Sequence, residues 1–403
     1  MHLKPERSIE PLWTKSFLLL IVGNLFVFMG FQMLLPIMPP YIQSLGASGV
    51  EIGLVTTLFS IGAVIIRPFI GYLLEYKRRK PLLLVGALSL LTITVIYPLT
   101  QMVFIFLLFR LMHGLAWGWS TTVNGTAAVD VVPNSRLGEG MGYFGLSITI
   151  GMIIAPSLGI FLFQHFGFQI NMMVSALLCI AALVMFACLK DHTPDSVINR
   201  DLKQLKFSFF GSLIEKNSWY PALVTLTSTF GYGSIVTFIV IFGEERGISA
   251  IYLFYLVNAL VATLIRPITG RWFDQRGPQG LLIVCASLTF AALWILSFAD
   301  SNIDLVISGM LFGAGYGSLI PALQAWVLAK TSPERRGVAN GMYYSGIDLG
   351  IGLSGLVFGI FAPYVNTGTL FQMSSVFFLL VIIMTIFARG QEMTFGQQQK
   401  FDE

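Results

Sequence analysis

The sequence predicts an all-α membrane protein, with twelve transmembrane helices arranged in two pseudo-symmetric six-helix bundles. Three observations carry this expectation. Hydrophobic residues make up 55% of the 403 residues and charged residues only 11%, against roughly 25% charge in a soluble globular chain. The apolar residues gather into runs near the ~20 residues that a membrane helix needs. A set of charged, Pro and Gly positions recurs about half-way along the chain. A fold with so little charge and a mean hydropathy of +0.78 cannot cover its surface in water. That excludes a soluble enzyme, a disordered chain and a nucleic-acid-binding module.

The first sixteen residues form a charged tail holding Lys4, Glu6, Arg7, Glu10 and Lys15. The apolar run that follows is too long for a signal-peptide core and has no small-residue cleavage site, so it reads as a retained helix. Six spans are expected near 17–41, 51–74, 81–100, 103–128, 139–164 and 169–189. The longest polar stretch, 190–216, carries Asp191, Asp195, Arg200, Asp201, Lys203 and Lys206 and reads as a cytoplasmic linker between bundles. Six more spans are expected near 217–243, 250–272, 280–299, 303–329, 339–363 and 367–389. The bundles are thus 17–189 and 217–389, with a cytoplasmic C-tail at 390–403.

Loop charge sets orientation, because Lys and Arg are retained on the cytoplasmic side. With the N-terminus inside, 20 of the 24 basic residues fall on cytoplasmic segments. One, Arg246, falls outside, and Arg67, Arg110 and Arg266 lie within spans. The reverse orientation inverts this ratio, and an even number of spans puts both termini in the cytoplasm. Cys179, Cys188 and Cys285 all lie in apolar runs with no CxxC, so neither a disulfide framework nor a metal site is indicated.

The repeat is specific. Arg67-Pro-Phe-Ile-Gly71 with Glu75 recurs as Arg266-Pro-Ile-Thr-Gly270 with Asp274, an offset of 199 residues, and Lys77 falls on Arg276. The same offset relates Gly114 to Gly313 and Gly118 to Gly317. At an offset of 201, Gly140-Met141 and Tyr143 meet Gly341-Met342 and Tyr344. Parallel repeats of six spans are a known transporter plan.

At these residues the chain resembles the major facilitator superfamily, within it the twelve-span drug:proton antiporter type, over essentially its whole length. The loop after span two, Gly71-Tyr-Leu73-Leu-Glu75-Tyr-Lys77-Arg78-Arg79-Lys80, resembles the family's Gly-x-Leu-x-Asp-(Arg/Lys)-x-Gly-Arg-(Arg/Lys). Glu75 stands for Asp, Tyr76 for the first base and Arg78 for the second Gly. The resemblance implies a charge network of Glu75, Arg79 and Asp130, the acid ending span four, that holds the inner ends together in the outward-facing state. Pro36-Ile-Met-Pro39-Pro40 is similar to the Leu-Pro-x-x-Pro signature. Span four holds Arg110-Leu-Met-His113-Gly114 where the family has Arg-x-x-Gln-Gly. The resemblance links Arg110 to proton transfer, and His113, three residues on and on the same face, titrates near neutrality when unperturbed. Span five carries Gly142, Gly151, Pro156 and Gly159 of the antiporter pattern Gly-x8-Gly-x3-Gly-Pro-x2-Gly-Gly, with Ala155 and Ile160 departing from it. Small residues and Pro permit close approach and a bend, expected here against span eight.

Asp348 is the one acid placed well inside a span. A carboxylate there is paired, protonated or both by turns. Arg67 in span two lies at a similar depth, so an Arg67–Asp348 contact that opens and closes is expected, with Asp348 an alternative proton carrier. On span five the repeat puts Ser147 rather than an acid opposite Arg266, the other gating candidate. The resemblance makes spans one, four, seven and ten the cavity walls. Asn24, Phe28, Gln32, Trp117, Asn124, Phe230, Tyr232, Phe238, Tyr316, Gln324 and Trp326 are the candidates, a mostly apolar lining with a few polar groups.

The function expected is proton-coupled export of small organic compounds by a monomer in the plasma membrane, touching lipid, substrate and protons. No cofactor, metal or nucleic-acid partner is implied. The Arg110-x-x-His113-Gly114 and Glu139-Gly-Met-Gly142 combination is also similar to Gram-positive exporters, some of which release opine-type metal chelators. A sugar efflux protein or uptake symporter is a further alternative. An integral membrane enzyme needs a catalytic cluster at one depth, and no nucleophile–base, metal-ligand or nucleotide motif is present.

Overall fold

The computed structural model describes residues 11–133, 136–194, 197, 207–331 and 336–401, and among these every regular element is helical. Span 1 is Lys15–Gln32, opened by Thr14, whose hydroxyl accepts from Phe17 N. It ends earlier than the sequence implies. Pro36, Pro39 and Pro40 lack the N–H that a continuous helix needs, so the chain turns at Met33–Ile37 and resumes as the short helix Met38–Ser44. Span 2, Gly49–Leu74, starts with a Ser48/Glu51 capping box. Span 3, Arg79–Ile96, closes in the 3₁₀ turn Tyr97–Leu99, and span 4 is Val103–Val131.

Spans 5 and 6 form one helical run, Leu137–Ala187, folded back at Gly167 with φ 80° and ψ 178°. That backbone region is open to glycine at little cost, and the turn falls in the gap expected between 164 and 169. A short helix, Phe209–Leu213, precedes span 7, Trp219–Arg246, which ends on left-handed Gly247. Spans 8 to 12 are Tyr252–Arg276, Pro278–Ser297, Asn302–Ala329, Arg336–Phe361 and Thr367–Phe401. The last helix runs on beyond 389, where a tail was expected. Among the described residues, ten helices are long and apolar enough to cross a membrane. One of them turns at Gly167 and crosses twice, and Tyr252–Arg276, apolar through Arg266, completes twelve passes.

Helices in lipid associate through close backbone approach, so small residues mark their contacts. In the first half, a Cβ on Gly114 would overlap Phe59 O and one on Gly118 would overlap Ala63 O, which fixes span 4 on span 2. The second half repeats this between spans 10 and 8, with Gly313 against Asn258 O and Gly317 against Ala262. The halves meet along spans 2 and 11: Gly53 lies on Gly355 O, Gly49 2.9 Å (Cβ to O) from Gly359 O, and Thr57 donates to Gly352 O at 2.7 Å. These contacts lie at the end opposite the basic loops, which is therefore closed. Large apolar side chains such as Phe104, Leu264 and Phe387 face outward, as lipid contact requires.

The two kinds of seam respond differently to added bulk. Gly114→Val crowds a contact inside one half and is expected to lower stability by about 1–3 kcal/mol, read as a fall in the melting temperature of the detergent-solubilised protein. Gly53→Val crowds a contact between halves and is expected to favour opening of the far end instead. The check is increased labelling of a cysteine placed at Thr56, with the melting temperature little changed.

Candidate functional site

The candidate side chains sit where the two halves, and the helices within each half, come close. Arg67 lies on span 2 about 10 Å from its end at Leu74, at 1.5 Å per residue. Asp348 lies on span 11. The structure brings them together: Arg67 Nη1 is 2.6 Å from Asp348 Oδ2, and the two side chains are 8% and 12% exposed. Arg67 Nη1 also donates to Ser345 Oγ at 3.5 Å, and Tyr344 lies in the field of both charges. Among the described residues, the polar contacts crossing between halves are this ion pair, Arg67–Ser345, Thr57–Gly352 and Thr56–Thr237. Span 2 makes all of them. Arg266, the repeat partner of Arg67, is half-buried beside Tyr343, while Ser147 accepts from Asn24 at 3.0 Å.

At the basic end, Arg79 Nε donates to Asp130 Oδ2 at 2.6 Å, and Nη1 donates to Leu74 O and to Lys77 O. Arg79 is 5% exposed. Its backbone N–H donates to Thr193 Oγ1 at 2.7 Å, and Thr193 in turn donates to Asp191. The start of the linker thus caps span 3, whose own N-cap residue Arg78 makes no side-chain bond. Glu75 ends span 2 and is half-buried beside this network. The network was expected to hold in the outward-facing state. Its Arg79–Asp130 pair is formed here with the far end closed, and both residues lie in the first half.

Arg110 is fully buried. Nε donates to Val55 O at 2.9 Å and the guanidinium lies 4.8 Å from the Phe59 ring centroid. Nη1 and Nη2 have no hydrogen-bond partner among the described residues. His113 Nδ1 is 3.3 Å from the Tyr97 hydroxyl. Phe31 stacks on Trp117 at 3.9 Å and on Phe59 at 4.7 Å, walling this cluster off. Tyr97 and Thr193 were not singled out from sequence. Nothing in a Tyr-Pro pair at a span end, or in a linker threonine, marks either residue.

The cavity candidates divide. Asn24 and Asn124 are fully buried, and Asn124 Nδ2 donates to Asn24 Oδ1 at 3.0 Å. Through Ser147 they tie spans 1, 4 and 5 together, so their amides are largely engaged with one another. Gln32 and Trp117 are nearly buried. Tyr232 and Tyr316 are half-buried with tilted rings 4.5 Å apart, and Gln324 donates to Asn340 at 2.9 Å. In span 5, Gly151 meets Phe28 Cβ at 2.7 Å (from its Cβ position) and Gly159 lies on Met33 O. Both glycines face span 1, on the helix face they share with buried Ala155. The expected approach of span 8 is made instead by side chains such as Phe161 and Tyr252, whose rings are 5.7 Å apart. Pro156 is buried within the same helix. The surroundings of Gly142 lie outside the described residues.

The profile of the Major Facilitator Superfamily matches residues 20–302 and 281–400. The chain belongs to this superfamily. An uncharacterized MFS-type transporter of Methanocaldococcus jannaschii is 24% identical over 95% of the chain and 98% of that protein. The multidrug resistance protein MdtG of Klebsiella pneumoniae is 26% identical over 81% of each. Among solved structures, the nucleoside transporter NupG superposes with a TM-score of 0.70 at 14% identity, covering 93% of this chain and 98% of its own. The human organic anion transporter MFSD10 gives 0.68 at 17%, covering 92% and 99%. These two neighbours show the fold. The chain is therefore a multi-pass membrane transporter rather than an enzyme.

Removing one member of a buried ion pair leaves an uncompensated charge, typically costing about 3–5 kcal/mol. Arg67→Met and Asp348→Leu are each expected to lower the melting temperature, and the double variant to recover most of the loss. A double-mutant cycle on the purified protein checks this. Additive losses would show that the two charges do not interact.

Proposed function

We propose that this protein exports small organic compounds across the cell membrane in exchange for protons, as a monomer, with both termini cytoplasmic. The observation that carries the proposal is the Arg67–Asp348 pair. It crosses between halves in a buried site, so the halves cannot part there without separating two charges in a low dielectric. Protonating Asp348 removes the attraction. The carboxylate's charge state thereby biases which end is open, and a ligand that prefers one state shifts the equilibrium toward it. That linkage between proton occupancy and conformation is what secondary antiport requires.

Three further features support the reading. Basic residues crowd the loops at one end, as cytoplasmic loops do. The span 5 glycines bring spans 1 and 5 into backbone contact, in the pattern that resembles antiporters. Relatives at about 25% identity carry the name multidrug resistance protein. Arg79 and Asp130 brace the inner ends of spans 2 and 4, and Arg266 is the corresponding cation of the second half. Gln32, Trp117, Tyr232, Tyr316 and Gln324 offer cargo an apolar wall with few hydrogen-bonding groups, which fits amphiphilic compounds.

Everted membrane vesicles with a fluorescent proton-gradient indicator test this. Cationic drugs and opine-type metal chelators serve as alternative cargoes. Cargo-induced collapse of the gradient is expected, and Asp348→Asn is expected to abolish it while cargo counterflow persists. Coupled transport that survives both Asp348→Asn and Asp348→Ala would remove Asp348 from the proton path. A gradient unmoved by every cargo would argue against antiport.

A further inference from the structure

The chain between the bundles is polar as a whole, yet its second part is not. Residues 207–214 read Phe-Ser-Phe-Phe-Gly-Ser-Leu-Ile, with no charge among them. The structure sets this segment against span 2. Phe207 stacks on Phe69 at 5.1 Å, Phe209 meets the same ring edge-on at 6.1 Å, and Phe207 meets Tyr72 at 5.5 Å. Phe69 ends a row with Ile61 and Ile65, spaced by four residues on one helix face, and all three are exposed. The other faces of span 2 are taken. Phe59 and Ala63 meet span 4, and Gly53, Thr57 and Arg67 meet span 11. The row of Ile61, Ile65 and Phe69 is therefore the face turned to lipid. Phe69 lies five residues before the end of span 2 at Leu74, about 7.5 Å along the axis. The linker thus returns to a depth inside the span instead of lying beyond it.

We propose that Phe207–Ile214 is an interfacial anchor lying in the cytoplasmic leaflet, with anionic lipid headgroups as its partner. This rests on the basic end being cytoplasmic, as above, and needs no particular cargo or coupling ion. Phe210 is 70% exposed and Ile214 43%. Side chains this apolar are costly in water. They suit the boundary below the headgroups, where interfacial segments bury their apolar side ~5–10 Å deep. Trp219, exposed at the start of span 7, marks the same level, since tryptophan favours the interface. Charge completes the fit. Tyr72 packs on Tyr76 at 5.3 Å, and Lys77 Nζ lies 5.2 Å from the Tyr76 ring centroid. The aromatic row thus leads from Phe207 to a cation. Lys77, Arg78 and Lys216 are all exposed. The neighbouring acid, Glu215, is turned inward and is 4% exposed. Its N–H donates to Met342 Sδ of span 11 at 3.4 Å, and its carboxylate accepts from Asn217 N at 3.2 Å. Apolar side chains toward the acyl region, with Lys and Arg at the rim, match a leaflet of negative headgroups.

Fluorescence of the full-length protein in lipid vesicles tests this. Cys188, the exposed cysteine, is replaced by Ser. An environment-sensitive dye is attached at Phe210→Cys or, as a second position, at Ile214→Cys. Lys190→Cys, exposed at the start of the linker, is the water-facing reference. In phosphatidylcholine vesicles the Phe210 dye is expected to emit to the blue of the Lys190 dye. Iodide on both sides of the membrane is expected to quench it several-fold less, while lipids brominated on the acyl chain quench it. Brominated phosphatidylglycerol is expected to be preferred over brominated phosphatidylcholine by about fivefold or more, the factor that one Lys or Arg near such a surface supplies. Lys77→Gln, Arg78→Gln and Lys216→Gln together are expected to remove the preference and keep the blue emission. Iodide quenching equal to that at Lys190, at both dye positions, would place the segment in water and overturn the proposal. Equal quenching by the two lipids, or a preference that survives the triple variant, would overturn the assignment of anionic headgroups. None of these readouts involves transport, so the antiport reading stands or falls separately.

Discussion

Membrane helices gain little from burying apolar side chains against one another, since lipid is equally apolar. What fixes this fold is backbone contact at positions where no Cβ fits, and span 2 takes part in it on two sides. Its carbonyls at Phe59 and Ala63 receive Gly114 and Gly118 of span 4, and its glycines 49 and 53 receive Gly359 and Gly355 of span 11. One helix is thus held rigidly to its own half and closely, but separably, to the other. The polar contacts follow the same line, because every one that crosses between halves among the described residues starts on span 2.

Close approach also decides where charge can sit. Ion pairs strengthen as water is excluded, yet the cost of dehydrating each ion rises with them. Arg79 and Asp130 meet at the basic end among the Leu74 and Lys77 carbonyls and bind groups that move together. Arg67 and Asp348 meet deeper, across the seam between the halves. Geometrically similar pairs at 2.6 Å therefore do different work. The first braces one half and its linker, and the second reports the relation between halves.

Much of this was legible in the sequence because its signals are local or unique. Twelve apolar runs, Gly167 between two of them and the lysine- and arginine-rich loops are local. Arg67 and Asp348 could be matched because so few charges lie within spans. The prolines at 36, 39 and 40 mark a break that length alone concealed, so span 1 ends at Gln32. Other features had no such signal. Asn24 and Asn124 look like cavity residues on their separate helices, and only their position across 100 residues shows them bonded to one another. The span 5 glycines promise a close neighbour but do not say which. Helix rotation settles that it is span 1.

The repeat resolves an ambiguity that neither half resolves alone. A buried Arg held by one carbonyl can be read as structural, since Arg110 Nε does satisfy a contact to span 2. The second half makes the same crossing with Gly309 in its place. Duplicated halves diverge freely where packing permits, and here packing permits Gly309, Phe312 and Leu296 in place of Arg110, His113 and Tyr97. The first half keeps the costly set, while the second keeps the apolar set and packs Tyr316 against Tyr232 one turn beyond. Similarly, Arg67 faces an acid across the interface, whereas the position related to that acid by the repeat is Ser147, bonded to Asn24. Both departures place ionisable chemistry on the span 2 side of the molecule. A pseudo-symmetric shell thus encloses an asymmetric set of charges, with a buried ion pair between halves at one seam and a neutral hydrogen bond at the position related to it by the repeat.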